Sequence, residues 1–146
     1  MEQPIIADAI ALAVAPIFLL AGIGALLNVM TARLGRVVDR ARELEGILDS
    51  GPAEATRLRC RDELSALGQR MTASNLAIYT TTASALLVCF VVALLFVEQL
   101  TPIDVRLVVA VLFVMTMALL TGGLAFFLRE IAIAIRSLKV RRDLLG

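Results

Sequence analysis

The side chains able to bind or exchange anything within the long uncharged stretches of this chain are few, and they gather toward one end of each stretch. Asn28 and Thr31 close the first, Asn75, Thr80, Thr81, Thr82 and Ser84 open the second, and Thr121 precedes Gly122 and Gly123 in the third. Hydroxyls and a carboxamide can stand in for the water around an ion or small solute, which is the chemistry of a membrane pathway. Helical spacing puts Ala21, Gly24, Asn28, Thr31 and Gly35 on one stripe, which Thr81, Thr121 and Gly122 extend from the other stretches. The alternative use of the same residues is close helix packing, where each contact contributes about 0.6 to 2 kcal/mol. Arg33, Arg36 and Arg40 share a second face and form a basic collar if several copies assemble. Singly, they act as anchors whose guanidinium groups reach the headgroups. Glu98 and Asp104 mark an acidic rim at the opposite end, able to concentrate cations or simply to be solvated.

Other chemistries are excluded by what is missing. The chain has no histidine, and so lacks the commonest general base and the commonest zinc ligand. Cys60 and Cys89 fall in regions too different to make a disulfide framework or a metal site. Gly22-Ile23-Gly24 lacks the third glycine and the preceding strand of a dinucleotide fingerprint. No nucleophile, base and orienting group converge, so no enzyme, cofactor or metal site is expected. The arginines are interleaved with Asp39, Glu43, Glu45, Asp62 and Glu63, which cancels most of the field that a nucleic-acid phosphate backbone needs.

The positioning elements follow from charge. Of fourteen Lys and Arg, eight lie between Arg33 and Arg70 and five between Arg129 and Arg142, leaving only Arg106 elsewhere. The runs 9–32, 71–97 and 107–128 carry no charge, and at about 1.5 Å per helical residue each crosses a hydrocarbon core about 30 Å thick. The expected fold is therefore all-α: an integral membrane protein with spans near 9–32, 75–97 and 105–128, in one domain over 1–146. Because short cytoplasmic segments accumulate Lys and Arg, residues 33–74 and the basic tail 129–146 are expected inside, with the N-terminus and the 98–106 loop outside. The first apolar run is too long for a signal-peptide core and is expected to be a retained helix.

Between the first two spans, Leu34, Val37, Ala41, Leu44 and Leu48 repeat with coiled-coil spacing, as do Cys60, Leu64, Leu67 and Met71. Each seam alone leaves an apolar side wet, so the two arms are expected to pair as an antiparallel hairpin, turned at Asp49-Ser50-Gly51-Pro52. Thr101 is expected to cap the third helix, with Pro102 in its first turn and Asp104 complementing its dipole. In the tail, Ile131, Ile135 and Leu138 share one side, and Arg136, Lys139, Arg141 and Arg142 suit an anionic leaflet.

The segments PIFLLAGIGALL at 16–27, RLGRVVDRAR at 33–42 and Phe127-Leu128-Arg129-Glu130 resemble a bacterial three-span membrane family classed as domain of unknown function number 2721. That resemblance implies the three-span plan and a bacterial inner membrane, and no activity. In architecture alone, the order of span, hairpin and two further spans is similar to the core of the Oxa1-type insertases. Three functional expectations result: a homo-oligomeric pore for ions or small solutes, an insertase-like chaperone, or a scaffold docking a cytoplasmic protein on 34–74. The bilayer and further copies of the chain are the expected partners, with no nucleic acid.

Overall fold

The computed structural model of the chain describes the backbone of residues 3–101 and 104–143, with side chains other than those of residues 3–9, 12–13, 99 and 136–143. It is all-helical: α1 spans Gln3–Asp49, α2 Glu54–Leu100 and α3 Arg106–Asp143. All three are long and apolar enough to cross a membrane. The 47 residues of α1 are more than the about 20 helical residues that cross a hydrocarbon core. Each helix thus runs on past its apolar run without a break. Pro16 is accommodated inside α1.

The turns are set by local chemistry. Ser50 N and Gly51 N donate to the carbonyls of Ile47 and Leu48, both at 3.2 Å, and Ser50 Oγ donates to Ile47 O at 2.6 Å. Gly51 takes φ +69°, the left-handed conformation that glycine adopts without a Cβ clash, and the helix ends there as its sequence predicts. At the far end the expected cap is displaced. Thr101 closes α2, its N and Oγ1 donating to Val97 O at 3.0 and 2.9 Å. Asp104 caps α3, its Oδ1 accepting from Arg106 N at 3.1 Å. A carboxylate next to the first free N–H groups wins over a hydroxyl three residues earlier because it also complements the helix dipole. The expectation for Pro102 lies outside the described residues, as do the side chains of Leu138, Arg136, Lys139, Arg141 and Arg142.

Packing divides the chain into two units, 1–28 with 79–123 and 29–78 with 124–146. In the first, Ile23 of α1, Thr81, Ser84, Val88 and Val91 of α2, and Thr116 and Gly123 of α3 are buried. Ser84 Oγ donates to Thr81 O at 2.7 Å and Thr116 Oγ1 to Leu112 O at 2.8 Å, so both hydroxyls are satisfied within their own helices. In the second unit Val37, Leu44, Cys60 and Leu67 form one cluster, with Ala41, Leu48, Leu64 and Met71 against it. The two seams read from the sequence therefore meet.

Burial recurs every seven residues along each helix: Ile23, Met30, Val37 and Leu44 on α1; Cys60, Leu67, Ser74, Thr81 and Val88 on α2; Thr116, Gly123 and Glu130 on α3. This is the spacing of knobs-into-holes packing. Since Leu44 is nearly sealed while Leu58 is exposed, Leu44→Ala is expected to lower the unfolding free energy by about 2–5 kcal/mol and Leu58→Ala by less than about 0.5 kcal/mol. Denaturant titration of the full chain in detergent, followed by far-ultraviolet circular dichroism, measures both.

Candidate functional site: a buried carboxylate between two arginines

The last member of the α3 repeat is charged. Glu130 has none of its surface exposed, and an ionised carboxylate in such a place is costly unless paired and hydrogen-bonded. Its partners come from the other two helices. Arg33 of α1 approaches Oε2 with Nε at 3.2 Å and Nη2 at 3.1 Å. Arg70 of α2 approaches Oε1 with Nε at 3.1 Å and Nη2 at 2.9 Å. Each carboxylate oxygen thus accepts from one guanidinium edge, a charge-assisted arrangement stronger than neutral hydrogen bonds. The Arg33 guanidinium carbon lies 5.6 Å from the ring centroid of Phe127, one turn before Glu130 on α3. All four residues belong to the second unit. The arginine side chains remain 29% and 21% exposed, so the cluster has a sealed centre and an open margin.

The arginine collar is distributed among carboxylates. Arg33 is committed to Glu130, while Arg40 pairs with Glu63 at 2.9 Å and with Glu43 at 2.8 Å along the hairpin. Arg36 is exposed on the surface. In the acidic rim, Glu98 pairs with Arg106 at 3.2 Å and Asp104 serves as the α3 cap. The stripe residues Ala21, Gly24, Asn28, Thr31 and Gly35 all lie on exposed surface of α1, and among the described residues a Cβ added to Gly22, Gly24 or Gly35 would meet nothing within 4 Å. Asn28 and Thr31 have interaction partners of their own within the chain. Thr81 is buried in α2, Thr121 is exposed and Gly122 half-buried, so this chain does not gather the stripe onto one surface. Among the described residues no group of His, Cys, Asp or Glu side chains is arranged to hold a metal.

Sequence reasoning passed over Glu130 because it follows Arg129 at the end of an apolar run, where either reads as a solvated charge. In the structure Thr116 and Gly123, fourteen and seven residues before it, are buried, and the same seven-residue repeat carries position 130 to the buried face.

Three bilayer-length helices, with charges confined to the ends of their apolar runs and knit to one another there, define a multi-pass membrane protein. Residues 13–140 match the model of the family described as "Protein of unknown function (DUF2721)", and the chain belongs to that family. No curated protein and no solved structure matches it.

Removing one member of a buried ion pair typically costs about 3–5 kcal/mol, because the other charge is left without compensation. Glu130→Gln is therefore expected to destabilise the chain by about that amount, whereas the combined replacement of Arg33, Arg70 and Glu130 by leucine recovers most of it. Detergent-based unfolding of both variants provides the measurement, and a Glu130→Gln chain as stable as the parent would show that the carboxylate does not hold the helices.

Proposed function

We propose that the protein is a homo-oligomer of the bacterial inner membrane in which the α1 faces of several copies meet and line a pathway for ions or small solutes. The observation that carries this reading is the uncovered face of α1. Ala21, Gly24, Asn28, Thr31 and Gly35 are exposed, and among the described residues a Cβ at Gly22, Gly24 or Gly35 would meet nothing within 4 Å. Helices associate in lipid through small residues that let backbones approach, and through polar groups that find partners there. Three helices rarely enclose a pore alone, whereas a ring of α1 faces presents Asn28 and Thr31 repeatedly around an axis.

The orientation in this reading puts the hairpin and C-terminus in the cytoplasm and the N-terminus and 98–106 connection outside. It is supported by the eight basic residues of 33–70 and five of 129–142, against Arg106 alone at the other end. The engagement of Arg40 with Glu63 and Glu43 favours control of flux by the α1 stripe and not by a collar.

The test joins native mass spectrometry in mild detergent with conductance measured in liposomes. An oligomer that conducts is expected, with Asn28→Leu changing the conductance severalfold and Arg40→Ala leaving it nearly unaltered. A stable monomer with no conductance would end the proposal, and the reverse ranking of the two variants would move control to the arginines. Ala55 is exposed beside the hairpin turn. In intact cells, a cysteine introduced there is expected to resist impermeant thiol reagents until the membrane is opened.

A further inference from the structure

The cluster around Glu130 has more positive than negative charge. Two guanidinium groups share one carboxylate, leaving a net single positive charge, and each spends only its Nε and Nη2 on Glu130. A guanidinium carries five N–H donors, and these contacts are made through the Nε and Nη2 edge, so the two Nη1 groups are not directed at Glu130. Glu130 is sealed while both arginines reach the surface, so an incoming ligand meets donors and not the carboxylate. Glu130 holds both guanidinium groups, and the Phe127 ring lies beside that of Arg33. Little side-chain entropy then remains to be lost on binding.

Position in the chain says what meets these donors. Arg33 is the first charge after the uncharged run 9–32, Arg70 the last before the run 71–97, and Arg129-Glu130 the first after the run 107–128. Three independent hydropathy boundaries therefore converge on one cluster, which places it where hydrocarbon gives way to headgroups. The groups at that depth are lipid phosphates. Arg129, exposed, adds positive charge beside the cluster on α3.

We propose that Arg33 and Arg70, held by Glu130, form a receptor for one phosphate ester, as an anionic phospholipid headgroup or a soluble phosphate supplies it. The unspent guanidinium N–H groups donate to the phosphate oxygens, and the single surplus positive charge selects a headgroup with a net negative charge over a zwitterionic one. This assignment does not depend on whether the protein forms a pore.

The experiment measures lipid retained by the full-length protein in native mass spectra, with phosphatidylglycerol or phosphatidylcholine added, and with inorganic phosphate as competitor. Phosphatidylglycerol is expected to be held preferentially, one per protomer. Arg33→Gln and Arg70→Gln are each expected to weaken retention about tenfold, while Arg36→Gln, with the same change in net charge, leaves it intact. Displacement of the lipid by millimolar phosphate identifies a soluble phosphate as an equal ligand of the same donors, and resistance to it identifies the lipid. Equal retention of both lipids without any effect of phosphate would overturn the proposal, as would an Arg36→Gln loss matching that of Arg33→Gln. Should the glutamine variants fail to fold, Arg33→Lys and Arg70→Lys keep the charge and remove the planar donor edge. Weakened retention is expected from them, and undiminished retention in both would refute the site.

Discussion

A carboxylate with no exposed surface constrains everything near it. The burial of Glu130 is compensated by Arg33 and Arg70, and those two residues stand on different helices. The requirement is geometric as well as energetic. Sliding α1 by one residue moves Arg33 about 1.5 Å along the axis and turns it about 100° around it, which takes the guanidinium off the Oε2 edge. Aliphatic packing alone imposes no such register, because one leucine or valine ridge fits a neighbouring groove almost as well one turn along. The second unit thus has two kinds of contact. The Val37, Leu44, Cys60 and Leu67 cluster supplies apolar burial, and the ion triad specifies which turn of each helix faces which.

The first unit handles its polar groups differently. Ser84 and Thr116 are fully buried, yet each donates to a carbonyl of its own helix three or four residues back. A hydroxyl satisfied in this way costs little to bury and makes no demand on a neighbouring helix. It therefore specifies no register between helices. Polar residues in the apolar runs can act as small spacers, while charges at the ends of the runs act as cross-links. That division matches the physics of a bilayer, where hydroxyls are tolerated at any depth and unpaired charges only near the headgroups.

How much of this was legible in the sequence depends on whether the deciding force is local. The three apolar helices are dictated by hydropathy and length, and the structure has them. The hairpin seams were legible because a seven-residue repeat of Val37 and Leu44, answered by Cys60 and Leu67, has no other way to leave water. The turn at Gly51 was legible because only glycine takes a left-handed cap there without strain. The third helix start was misread, since Thr101 and Asp104 both offer a capping oxygen and the choice depends on where the α2 carbonyls end. Glu130 was missed for a deeper reason. Which of two adjacent charges, Arg129 or Glu130, turns inward depends on partners about sixty and ninety-seven residues away, and composition holds no record of that distance.

The uncovered face of α1 follows from the same seven-residue economy. With Ile23, Met30, Val37 and Leu44 buried at that spacing, Ala21, Gly24, Asn28, Thr31 and Gly35 on the other side of α1 stay exposed. Gly22, Gly24 and Gly35 on this helix have open space where a Cβ would stand, so packing inside the chain does not require glycine at any of them. A glycine inside a helix gives up about 1 kcal/mol relative to alanine. Three of them along one helix, each with no described atom within 4 Å of where a Cβ would stand, suit a surface that another backbone can approach. Backbone approach by another helix is an interaction that offsets such a loss, and it is on this ground that we propose that copies of the chain meet on this face.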